Sequence, residues 1–229
     1  MERTPNIFDL SIPVLALDTV IFTVHNGTLA VVLIPGKNPQ SHGKLILPGG
    51  IVARGESLES ASDRILLENA GISGIFKEQL YTFGDPARDS RGHVVSVVYY
   101  ALVSPDQFAS QIDASRVQIL PFHDMKDTTL AYDHTKIVRY ARQRLIWKLE
   151  YTNIAQNILH DTFTLTALQD LYEAVFDRTF DKRNFRKKIM SLDLIRETGK
   201  FDQTSSRRPA KLYEFVSQEL TLMDKRELI

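Results

Sequence analysis

The spacing of apolar and polar positions divides the chain into two stretches of different character. Residues 14–24, VLALDTVIFTV, and 28–34, TLAVVLI, are rich in β-branched side chains and are joined through Asn26-Gly27. That pattern predicts a hairpin with a tight turn. An apolar triplet at 45–47 then runs into Gly49-Gly50, a short polar loop and an amphipathic helix that ends near Gly71. Two further strands are predicted at 75–84 and 94–103, the second so continuously apolar that it suits a strand buried on both faces. Between them lies the polar loop 85–93. Residues 104–132 read as a loop, a short strand and a closing turn. Residues 131–151 place Ile137, Tyr140, Ala141, Leu145 and Lys148 at near-helical spacing, with Asp133 as N-cap and His134 as a capping or solvated residue of the first turn.

A boundary near residue 150 gives two domains, 1–150 and 151–229. In the second, FTLTALQDLYEAVF repeats apolar residues at Leu165, Leu168, Leu171, Tyr172 and Val175, with Thr162 or Thr164 placed to cap a helix. The short connection DRTF leads to DKRNFRKKIMSL. There Asp181 can cap, Phe185, Ile189 and Leu192 fall on one face, and Lys182, Arg183, Arg186, Lys187 and Lys188 occupy the others. A helix apolar toward its own domain and cationic elsewhere is suited to DNA. The two strand-like pieces that follow, around a polar loop, have the form of a wing.

Composition narrows the chemistry. The 229 residues carry 28 basic and 28 acidic side chains, so any nucleic-acid surface must be local. It is: residues 178–211 hold eleven Lys and Arg against four Asp and Glu. No cysteine is present, which excludes disulfides, a thiol nucleophile and a Cys-ligated zinc. No signal pattern opens the chain, and Pro13 and Asp18 interrupt its first apolar run, so a cytoplasmic protein with no membrane partner is expected.

Gly50, Glu56, Arg64, Leu66, Glu68, Gly71 and Ile72 stand at the spacings of GX5EX7REUXEEXGU, and through them the first domain resembles the Nudix hydrolases. The resemblance implies an α/β/α sandwich. It also implies three carboxylates on one helical face, at i, i+3 and i+4, to hold Mg²⁺ against a diphosphate. Those positions are Ile65, Glu68 and Asn69, so two of the three glutamates are missing and no catalytic or metal-binding residue is assigned. Mg²⁺ binding is expected to be weak and no cofactor to be required. Ligand contacts are expected from Gly50, Glu56, Glu68, Arg88 and Arg91, the two arginines because guanidinium groups grip diphosphates bidentately.

With FTLTALQDLYEA, KRNFRKK and RRPAKLY in the second domain, the chain resembles the Nudix-related transcriptional regulators, those of NAD metabolism and their sugar-catabolism relatives. The loop RDSRGH is similar to the ADP-ribose branch. The resemblance implies an α+β protein in which a degenerate Nudix domain senses ADP-ribose and a dimer of winged helix-turn-helix domains represses from a palindromic double-stranded operator. DNA contacts would come from Lys182, Arg183, Arg186 and Lys187, with Arg207, Arg208 and Lys211 on the wing. The rivals are an active ADP-ribose or sugar-nucleotide pyrophosphatase using Glu56, Glu59 or Asp63, a sugar-responsive regulator, and a module binding RNA or protein through generic charge.

Overall fold

The computed structural model describes residues 12–41, 43–127, 129–202 and 209–222. Strand β1 (Val14–His25) and β2 (Thr28–Pro35) form the expected hairpin, and both turn residues, Asn26 and Gly27, have positive φ, at 50° and 74°. That conformation matches the right-handed twist of the strands it joins. β1 is long enough to serve three neighbours. Its first half pairs antiparallel with β4 (Gly49–Ile51) and its second half with β2, while its other edge runs parallel to β6 (Val94–Leu102). With β3 (Leu45–Ile46), β5 (Phe76–Phe83) and β7 (Gln118–Pro121), seven strands among the described residues make one sheet, ordered β3-β2-β1-β6-β5 with β4 on β1 and β7 on β2.

Alternation along β1 assigns each helix a face. Leu17 and Ile21 meet α1 (Leu58–Ala70) through Ile65, Leu66 and Ala70, while Val20 and Phe22 meet α3 (His134–Tyr151) through Ile137, Val138 and Ala141. The sheet is thus covered on both sides. Asp18 is in phase with Val20 and Phe22, so this one acid of the strand lies on the α3 side, at the open end. α1 is capped by Ser57 and stopped by Gly71 in the left-handed conformation, φ 72°.

Three local expectations are corrected. Residues 105–111 are a helix, α2 (Pro105–Gln111), because Ser104 and Gln107 form a reciprocal capping box. Asp133 stands at the N-cap of α3 but caps nothing with its side chain, which Arg88 occupies. His134 is buried, not solvated, and its Nδ1 accepts from the Leu47 amide at 2.9 Å.

The connection after α3 is packed. Ile154, Ala155 and Ile158 are buried, and Asn153 clasps the later chain by donating to the carbonyls of Ser217 and Glu219 and accepting from the Thr221 amide. Then α4 (Leu165–Phe176), capped by Thr164, and α5 (Lys182–Met190), capped by Asp181, pack beside the strand pair β8 (Ile195–Asp202) and β9 (Ala210–Phe215). The two parts share one core cluster that extends from Val20 to Phe215. α3 is the element between them: Tyr172 of α4 donates its hydroxyl to the Leu149 carbonyl, and Arg142 donates to the Val175 carbonyl at 2.9 Å. Among the described residues no helix is long and apolar enough to cross a membrane.

Candidate functional site

A cavity of about 570 Å³ opens where the start of β1, β4, the loop 85–93 and the entry to α3 converge. One wall is apolar, with Ile12, Val14, Ile46 and Ile51; the other carries Asp18, Asn38, Arg88, Asp89, Arg91, Tyr132 and His134. A wall of each kind suits a ligand with an apolar ring system and a charged portion.

The polar wall is a connected set of charges. Arg88, only 5% exposed in its side chain, donates Nε to Asp133 Oδ2 at 3.0 Å and Nη2 to Oδ1 at 2.8 Å, and also lies 3.5 Å from Asp18. Burial opposes the cation, but the Asp133 and Asp18 carboxylates hold its pKa above the ordinary guanidinium value. Arg91 pairs with Asp89 at 2.6 Å and lies over the Tyr132 ring, and the Arg91 hydrogen bonds hold the Asp89 carboxyl below its usual range. Ser96 Oγ donates to Asp18 Oδ2 at 2.6 Å. Burial pushes the His134 pKa down, so the ring is neutral; since Nδ1 accepts from Leu47, the proton is on Nε2, 3.8 Å from Asp18 Oδ1.

Backbone strain marks the same place. Tyr132 adopts φ 56°, unusual for an aromatic residue, and its Oη donates to Asn38 Oδ1 at 2.7 Å. Gly49 is required sterically, because a Cβ there would fall 2.1 Å from Asp18 Oδ1.

Of the expected ligand residues, the structure brings Gly50, Arg88 and Arg91 to the cavity wall. Glu56 and Glu68 do not line it. Glu56 accepts from Arg64 at 2.7 and 2.8 Å and from the Ala53 amide, which holds its carboxyl at about 2, while Glu68 meets Arg64 Nη1 at 3.3 Å on the surface. Glu56 thus fastens the box loop to α1, and Glu68 forms an i,i+4 pair within the helix. Arg88 is also not a free clamp, since its donors are engaged by Asp133. Asp18, Asn38 and Tyr132 were not expected, and His134, which could touch a ligand from its first-turn place, was expected to cap or be solvated. A lone acid inside a β-branched run was the available signal for Asp18; the others have no local signal.

The residues do not fit a Nudix metal. Ile65 is 1% exposed and packs with Leu17, Ala61, Val97 and Tyr99. Asn69 donates to the Ile65 carbonyl at 2.8 Å. Among the described residues no group of three or more acidic or histidine side chains is placed to hold a metal ion.

At the other end of the molecule, α5 buries Phe185 and Ile189 and exposes Lys182, Arg183, Asn184 and Lys187. Arg186 is partly buried and donates to Thr166 Oγ1 at 3.3 Å, so it braces α5 on α4. Lys211 sits 2.9 Å from both oxygens of Glu197, which raises its pKa, and Arg196 pairs with Glu214. The described part of the wing is therefore internally neutralised, contrary to a free Lys211. Arg207 and Arg208 lie outside the described residues.

Two family models match separate parts of the chain. Residues 15–141 match the NUDIX domain model, and residues 155–215 match that of the NrtR DNA-binding winged helix domain. The chain is 32% identical to the ADPR responsive transcriptional repressor NtrR of Acinetobacter baylyi over 92% of its own length and 85% of the relative's. It superposes on Shewanella oneidensis NrtR complexed with a 27mer DNA with a TM-score of 0.76, at 35% identity, covering 88% of this chain and 93% of that one. The NUDIX domain of the same Shewanella protein, complexed with ADP ribose, matches with a TM-score of 0.51 and 32% identity over 62% of this chain and 94% of that one.

Proposed function

The chain belongs to the family of NrtR-type regulators, a Nudix domain joined to an NrtR winged helix, and from this we propose that it is an ADP-ribose-responsive transcriptional repressor. ADP-ribose occupies the cavity, with its diphosphate toward Arg91 and the Gly49-Gly50 backbone and with Arg88, held by Asp133, behind them. The operator is held by Lys182, Arg183 and Lys187 of α5, with Arg186 as brace. The domains divide near residue 150, the working form is a cytoplasmic homodimer on a palindromic operator, and the regulated genes belong to NAD metabolism.

One juxtaposition supports sensing over hydrolysis. The catalytic face of the box is closed by Ile65 and Asn69, while the neighbouring cavity stays open and charged. Among the described residues, no three-carboxylate metal set lies beside a ligand held there. α3 offers the route outward: its N-terminus contributes His134 to the cavity and Asp133 to the cavity residue Arg88, and its later turns contact α4. ADP-ribose shifts α3, and the paired α5 helices lose the separation of about one helical turn that two major-groove half-sites demand. By linkage, operator DNA then weakens ADP-ribose binding by the same factor.

The test is isothermal titration with ADP-ribose, with and without operator duplex, while AMP release is followed chromatographically in the same samples. Binding that operator weakens, without cleavage, is expected. Equal affinity in both states would refute the coupling, and Mg²⁺-dependent AMP release would make the protein a pyrophosphatase.

A further inference from the structure

The outward face of α5 is not uniformly cationic. Phe185 and Ile189 define its buried side, and at 3.6 residues per turn the positions that point away from them are Arg183, Asn184 and Lys187. Arg186 is held at Thr166 and takes no part in that face. Asn184 is exposed, and its backbone amide is the group that Asp181 caps, while its side-chain amide makes no hydrogen bond among the described residues. Asparagine ranks low among helix formers and contributes no packing when exposed. Among the described residues, then, no contact accounts for its place between two cations.

Resting on the repressor assignment, we propose that Asn184 reads an adenine in each operator half-site, its carboxamide donating to N7 and accepting from the N6 amino group. Of the exposed side chains on α5 it alone carries both a donor and an acceptor, the pair that an adenine presents in the major groove. Arg183 and Lys187, donors only, suit guanine or phosphate. Lys182 lies on the flank and suits the backbone. Specificity is thereby separated from affinity within one short helix: the cations supply salt-dependent attraction, and the neutral amide supplies discrimination.

The experiment is selection of the full-length protein, wild type and N184A, on a pool of duplexes with a randomised centre, followed by affinity measurement on the enriched sequence. The wild type is expected to enrich a palindrome with a fixed adenine in each half. In N184A that column relaxes while the others persist, with a preference smaller by on the order of 10- to 100-fold at that base pair. Replacing the selected adenine with 7-deazaadenine, which removes N7 and leaves base pairing intact, should weaken wild type and leave N184A unchanged. Identical selection by the two proteins, or an equal 7-deazaadenine effect on both, would overturn the assignment. Failure of the wild type to enrich any sequence would overturn the repressor function itself, and this assignment with it.

Discussion

Arg88 and Asp133, forty-five positions apart, form one bidentate pair that ties the cavity loop to the first turn of α3. Arg88 lines the cavity, and Asp133 stands at the start of the helix that reaches α4. Removing Asp133 leaves a guanidinium that is 5% exposed without its bidentate partner, with Asp18 at 3.5 Å. Asp133→Ala should therefore cost about 2–3 kcal/mol, below the full value for a buried pair because Asp133 is partly exposed. Urea denaturation checks this, and a cost of about 0.5 kcal/mol or less would class the pair with surface ion pairs.

His134 gives the protein a pH dependence of definite sign. The unfolded imidazole titrates at the ordinary histidine value of about 6.5, whereas burial depresses the folded value, so between the two the unfolded chain binds a proton that the folded ring refuses. The stability linked to this group is fully present above pH 6.5 and is lost as pH falls below it. His134→Asn, which keeps an acceptor for the Leu47 amide, should flatten the stability curve in that window relative to wild type. Parallel curves from pH 7.5 to 5 would show that the ring does not titrate differently in the two states.

Restoring the box glutamates should not restore an enzyme. Ile65→Glu with Asn69→Glu recreates the sequence pattern but places a carboxylate where Leu17, Val97 and Tyr99 now enclose Ile65. A loss of about 3 kcal/mol or more is expected from the buried charge and the lost packing. Thermal melts and AMP release from ADP-ribose with Mg²⁺ measure both consequences; a stable, active double variant would contradict them.

Arg142 is the contact from which coupling between the two parts can be removed. Its guanidinium lies over the Phe122 ring and donates to the Val175 carbonyl in α4, and burial lowers its pKa. Arg142→Met keeps the length of the side chain and removes the bond. ADP-ribose affinity of the free protein should hold within about twofold, while the factor by which ADP-ribose weakens operator binding falls by about 3- to 10-fold. Operator titrations at zero and saturating ADP-ribose give that factor, and an unchanged ratio would exclude Arg142 from the route.

The elements were legible where their causes are local. The Asn26-Gly27 turn, the Thr164 and Asp181 caps, the two-faced α5 and the alternation that gives β1 its two helices all follow from neighbours a few residues apart. The α2 segment was expected to be a loop, because beyond the Ser104 and Gln107 capping pair its polar sequence shows little periodicity. What Ile65 lacks, a ligand atom, could be read directly; that it would be sealed inside the core could not, because burial depends on Leu17 and Val97 arriving from two other strands. The site was decided by tertiary structure for the same reason. Arg88 and Lys211 both read as free cations, yet each meets a carboxylate that only folding brings near, Asp133 across forty-five positions and Glu197 across fourteen. A charge's residue type is fixed in the chain, but its partner and its hydration are properties of the packed structure, and those two determine whether it binds a ligand or holds the fold.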